Sequence, residues 1–269
     1  MKFLSYDAYV LKWIAVIAMI ANHVAIAWHT ILPFWALLPL YAVGGITYTI
    51  MAFFIVEGYR HTSNLKKYFS RLLIFGLIAQ AFHPMVLGPT ALFGGIFLNI
   101  LFTIILALFT LLMYDKIKIR FLFWLLFILV CAVSLFMDLF FVGILMPVMY
   151  YAIKKEGVRR TLPGIVAGII FSLISALPLL GYWALSNAPG MEQEAYNFIY
   201  NSGFTLEFFK VMPFFGLGNF VGAILIRNFN GERGKRSKWL FYVAYPTHLA
   251  VIAGISLALG LTAFSLFGF

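Results

Sequence analysis

Two histidines stand in the most apolar surroundings of this chain. His23 lies within YVLKWIAVIAMIANHVAIAWHTI and His248 within KWLFYVAYPTHLAVIAGISLALGL. An ionisable ring in such a run is expensive in lipid, so its presence calls for a reason. The neutral form of imidazole takes a proton from a hydroxyl or an amine, as a general base does. Asn22 stands beside the first ring, where it would orient it or hold an oxyanion. Tyr245 is one helical turn before the second, on the same face. A histidine can also serve only as a hydrogen bond between helices. Two of them at matching depth, each with a polar neighbour, point instead to a site. Zinc is the weaker reading, because His23, His248 and Asp138 show no ligand spacing on any one helix. No serine neighbours either histidine in sequence, which leaves a serine nucleophile without support.

Depth follows from helical rise. Lys12 and His23 are eleven residues apart, close to three turns, so they share a face with Ala15, Val16, Met19 and Ile26. The rise between them is roughly 16 Å, about half of a ~30 Å hydrocarbon core. Lys238 to His248 is ten residues, roughly 15 Å from the same side. Pro246 removes a backbone donor and frees the carbonyl of Tyr242 in the middle of the last stretch.

The elements that must carry these rings are dictated by composition. The chain has 269 residues, 64% hydrophobic and only 10% charged, with mean hydropathy +1.00. A soluble domain is nearer half apolar and a quarter charged. The chain therefore reads as a single polytopic domain, 1–269, an all-α integral membrane protein. A spanning helix needs about 20 apolar residues. About nine stretches qualify, at 9–31, 38–57, 68–87, 95–114, 120–137, 139–153, 161–184, 205–226 and 238–264. The tight pair around Asp138 is the one on which the parity of the count depends.

Charge orients them. RHTSNLKKYFSR, DKIKIR, KKEGVRR and RNFNGERGKRSK follow every second stretch; with Lys2 and Lys12 they put all but Lys210 of the 19 Lys and Arg on one side. The positive-inside rule makes that side cytoplasmic, with the N-terminus inside and the C-terminus outside. The net charge of +10 is thus a topology signal with an affinity for anionic lipid, and nucleic acid is not an expected partner. Ala25-Ile26-Ala27 has the form of a signal-peptide cleavage site, but the apolar stretch runs on past it. The lone cysteine, Cys131, reads as a small hydrophobe in an apolar run, and one cysteine excludes intrachain disulfides. No internal repeat stands out, which weakens the case for an inverted-repeat transporter.

Several stretches together resemble the TraX family of membrane acetyltransferases, whose namesake acetylates pilin at its N-terminus. LKWIAVIAMIANH is similar to that family's first-helix signature, which commonly ends in Asp-His, and AFFIVEGYRHTSNLKKYFSRLLIFGLIAQ to its second. LNILFTIILAL, DLFFVGIL and FNGERGKRSKWLFYVAYPTHL resemble the later ones, with Asn230-Gly231, Arg233-Gly234, Tyr245-Pro246 and His248 in the family's order. Two departures stand out: Asn22 replaces the usual aspartate, and VGGITYTIMAF lacks the Arg and Pro often found there. Residues 184–204 match nothing in the pattern.

The resemblance implies acetyl transfer across a bacterial inner membrane, from cytoplasmic acetyl-CoA to an extracytoplasmic acceptor such as a pilin amine or a cell-envelope glycan, without a metal. It is similar to a wider group of acyltransferases in which a first-helix cation and a histidine eleven residues later hold CoA and catalyse. On that basis His23 is the expected base, oriented by Asn22, with His248 and Tyr245 at the transfer point. Lys12, Arg60, Lys67, Arg71 and Arg233 are the expected CoA contacts, with Glu57 bracing Arg60 or Lys67. Asn99 and Gln80, toward the outer ends of their stretches, are the expected acceptor contacts, and Asp138 either joins them or serves equally well at a turn or helix end. The competing expectations are a permease using the histidines as proton relays, and a structural membrane partner in a secretion or pilus assembly that would tolerate their replacement.

Overall fold

Asp7 opens the first helix. Its carboxylate accepts the Val10 N–H at 2.8 Å, and α1 (Ala8–Ala27) follows without a break. Residues 5–87, 97–200, 206–235 and 239–261 are described by the computed structural model. Lys2 and Lys238, both assigned above to the basic side, lie outside the described residues, as do 88–96, 201–205 and 262–264.

All regular structure among the described residues is helical. After α1 come α2 (Phe34–Gly44) and α3 (Ile46–His61), nearly continuous; α4 (Leu65–Gln80) and the short α5 (His83–Leu87); and α6 (Ile100–Lys116). Then follow α7 (Arg120–Ser134), α8 (Phe140–Ala152), α9 (Glu156–Ser186), α10 (Glu192–Tyr200), α11 (Leu206–Arg227) and α12 (Leu240–Ala258). Each of the nine apolar stretches contains helix. Five helical segments are long and apolar enough to cross a membrane: Ala8–Ala27, Phe34–His61, Glu156–Ser186, Leu206–Arg227 and Leu240–Ala258. Asparagines start two of the others. Asn64 accepts from Lys67 N at 2.9 Å and Asn99 from Leu101 N at 3.0 Å, each satisfying a donor that a helix leaves orphaned.

The pair around Asp138 is two helices, and the turn between them is strained. Leu139 (φ 63°) and Phe140 (φ 47°) are consecutive non-glycine residues in the left-handed region. Each costs of order 1–3 kcal/mol, and such conformations persist only where the surroundings over-determine them. Here they do. Asp138 N donates to Leu98 O at 3.0 Å, its carbonyl accepts from Thr103 Oγ1 at 2.9 Å, and Leu98 N donates to Phe136 O at 2.9 Å.

Helices α1 and α3 are the centre. α1 packs on α2, α3, α5 and α12, while α3 also meets α6, α8, α9 and α11. α9 and α11 pack most extensively of all pairs. Close approach decides one junction: a Cβ on Gly45 would collide with the Phe215 carbonyl of α11, and one on Gly218 with the Ala42 carbonyl. Small residues are how helices without a hydrophobic drive between them gain contact. The outer face of α7 carries Phe121, Trp124, Leu125 and Ile128 exposed, which is the surface a lipid-facing helix presents.

Candidate functional site

α1 and α12 bring the two histidines together. Their ring centroids are 4.7 Å apart at an interplanar angle of 67°, an edge-to-face contact between residues more than 200 positions apart. Tyr245 completes the group, its ring 6.0 Å from His23 and 5.4 Å from His248. A tie at one end of the same helix pair, Trp28 Nε1–H to Ser256 Oγ at 3.0 Å, sets their register.

Each ring is fixed by its own helix. His23 Nδ1 lies 2.8 Å from the Met19 carbonyl and His248 Nδ1 2.8 Å from the Ala244 carbonyl. A carbonyl only accepts, so Nδ1 carries the hydrogen in both rings and Nε2 bears the lone pair of the neutral form. This corrects one expectation. His23 is oriented by Met19, not by Asn22, because the i−4 carbonyl is within reach and Asn22 packs instead against Gly44. Asn22 Oδ1, Tyr245 Oη and His248 Nε2 are buried with no well-formed hydrogen bond among the described residues; Tyr245 Oη lies by the Ile100 backbone at the start of α6. Buried polar atoms are rarely left so, and two of these residues, Asn22 and Tyr245, border the same cavity.

Two cavities meet here. An apolar chamber of about 190 Å³ is bordered by His23, Asn22, Tyr245 and Asp138, with Tyr41 and Tyr48 among its other walls. A wider cavity of about 1100 Å³ is bordered by Lys12, Lys67, Arg71 and Arg233. Met51 of α3 borders both, so it stands at the partition. α1 thus places Lys12 in one cavity and His23 in the other. Arg233 joins Lys12 because the 228–234 loop is laid along the N-terminal segment: Tyr6 N donates to Asn228 O, Asn230 N to Tyr6 O and Ala8 N to Glu232 O.

The remaining predicted residues fall elsewhere. Arg60 is turned away from the basic cavity, where Glu57 at 3.6 Å, the Tyr151 carbonyl at 3.1 Å and the Tyr151 ring hold it. Glu57 braces Arg60 as expected, but its closer partner is Arg159 of α9, at 2.5 Å. Arg159 is buried, borders the basic cavity and stacks on Phe53, and nothing in KKEGVRR distinguishes it from its neighbours. Asn99 and Gln80 are committed to each other and to backbone. Asn99 Nδ2 donates to Gln80 Oε1 and to Gly76 O, and Gln80 Nε2 donates to Phe97 O. They cross-link α4 to α6 and do not border the chamber. Sequence reasoning also passed over His83, which lies at the end of an apolar stretch beside Pro84 and reads there as part of a loop. Its Nε2 lies 3.1 Å from Asp138 Oδ2.

An all-α membrane protein with a buried imidazole pair, one ring of which borders an apolar chamber, and a cation-lined cavity that shares Met51 with that chamber is the class these features define. The chain belongs to the TraX family: that family's model, described as TraX protein, matches residues 7–256. It is also similar to a probable fimbrial assembly protein, FimC of serogroup H1, from Dichelobacter nodosus, 29% identical over 95% of this chain and 98% of that protein. No solved structure matches the chain.

Proposed function

We propose that this chain transfers an acetyl group from cytoplasmic acetyl-CoA to an extracytoplasmic acceptor, a protein amine such as a pilin's or a glycan hydroxyl. On this reading it crosses the bacterial inner membrane nine times, with its N-terminus in the cytoplasm. The observation that carries the proposal is the placing of His23. Its Nδ1–H is tied to its own helix, and its ring borders an apolar chamber that shares Met51 with a cavity lined by six Lys and Arg residues, Lys12, Lys67, Arg71, Arg159, Arg160 and Arg233.

The donor's phosphates suit Lys12, Lys67, Arg71 and Arg233, since charge-assisted hydrogen bonds to phosphate are the strong ones. The pantetheine arm then passes Met51 and brings the thioester carbonyl to His23. His23 Nε2 takes the proton from the acceptor's hydroxyl or amine as that atom attacks the carbonyl carbon. The C–S bond breaks, and the leaving thiolate recovers the proton from the imidazolium. Tyr245 O–H is the donor suited to the carbonyl oxygen as its charge develops. His248, in edge contact with His23, holds the ring in place. The similarity to a probable fimbrial assembly protein is consistent with an acceptor in a pilus.

The test is reconstitution in proteoliposomes with labelled acetyl-CoA. His23→Ala should lower transfer by about 10²–10⁴-fold, the usual contribution of a positioned base. Undiminished transfer by a normally inserted variant would remove His23 from the mechanism.

A further inference from the structure

One wall of the chamber carries a carboxylate that the reaction above does not use. Asp138 borders the chamber together with the strained Leu139 and Phe140, in a lining that is otherwise mostly apolar. Its Oδ2 accepts from His83 Nε2–H at 3.1 Å; a carboxylate only accepts, so that nitrogen carries the hydrogen. His83 is itself 2% exposed at the side chain and stacks on Phe97 at 6.2 Å. The Asp138 backbone is held on both sides, by Leu98 O and by Thr103 Oγ1. The residue is therefore pinned at three points, while Oδ1 has no partner among the described residues.

A carboxylate with one oxygen fixed and the other free, in a small apolar space that also holds an imidazole, is a directional acceptor for a bound group. We propose that Asp138, aimed by the buried His83, orients the acceptor substrate by taking a hydrogen bond from an O–H or N–H other than the one deprotonated at His23. The acceptor is then polyfunctional, with at least two donor-bearing groups close enough to span a chamber of about 190 Å³. Asp138 touches substrate, while His83 acts through Asp138 and is a positioning residue. The inference rests on the transfer reading above and deepens it.

The test uses the full chain in proteoliposomes, with labelled acetyl-CoA inside and, outside, increasing amounts of a solubilised envelope fraction from cells lacking this protein. Asp138→Asn should raise the apparent KM for the envelope fraction at least tenfold, with the KM for acetyl-CoA unchanged. His83→Gln, which keeps a donor, should retain most of the acceptor affinity that His83→Leu loses. Where Asp138→Asn does not insert, the same comparison is made with Asp138→Glu, in which the displaced carboxylate should also raise only the acceptor KM. An unchanged acceptor KM, or equal shifts in both constants, overturns the orienting role while leaving transfer intact. A wild-type protein that labels nothing overturns the transfer reading beneath it.

Discussion

Lys12 and Arg60 are both basic residues near the ends of helices, yet their surroundings differ. Lys12 sits over the Phe54 ring at 5.4 Å and faces the wide cavity. Arg60 is saturated by Glu57, a backbone carbonyl and an aromatic ring. Loss of one phosphate contact worth about 1.4 kcal/mol is a tenfold change. Lys12→Ala should therefore raise the KM for acetyl-CoA about tenfold, and Arg60→Ala should leave it within about twofold, both read from initial rates of labelled transfer. Equal effects at the two positions would mean that the wide cavity does not hold the donor.

At the scale of elements, the site depends on how closely helices that contribute no chemistry approach one another. α11 seats against the α2–α3 junction through Gly45 and Gly218, and that contact holds α3, with Met51 at the partition, against the rest of the bundle. Gly218→Leu inserts four carbons where the Ala42 backbone already stands. Overpacking costs about 1–3 kcal/mol where side chains can shift, and backbone shifts less easily. A lower thermal midpoint in detergent and reduced transfer are the expected outcomes. A variant of unchanged midpoint would show that this junction is loose. The buried hydrogen bond from Thr49 Oγ1 to Asn219 Oδ1, at 2.8 Å, joins α3 to α11 within the same packed region.

Across the whole molecule, the proposed orientation places Asn187 outside and Glu232 inside. The single native cysteine makes this measurable. In a Cys131→Ser background, Asn187→Cys in intact cells should react with a membrane-impermeant maleimide, and Glu232→Cys should react only after the membrane is opened. The reverse pattern would invert the topology and put the cation-lined cavity on the side without acetyl-CoA.

Much of the site was legible along the chain. His23, His248 and Tyr245 were conspicuous because a polar group in an apolar run is detectable by local composition, and helical rise alone put both rings at similar depth. Other assignments depended on contacts between distant segments. Asn22 and Met19 are equally close to His23 in sequence, and only the placing of α2 shows that Asn22 packs on Gly44. KKEGVRR offers two adjacent arginines, and which one is buried against Glu57 depends on the rotation of α9.

What the sequence by itself determined was the helical class and the apolar stretches long enough to cross a membrane, since hydropathy acts residue by residue along the chain. The tertiary structure alone decided that His83 meets Asp138 across 55 residues, that Met51 borders two cavities, and that Arg60 does not line the wide one. Those outcomes are set by which helix faces meet, and side chains brought together by packing carry no common signal in the order of residues.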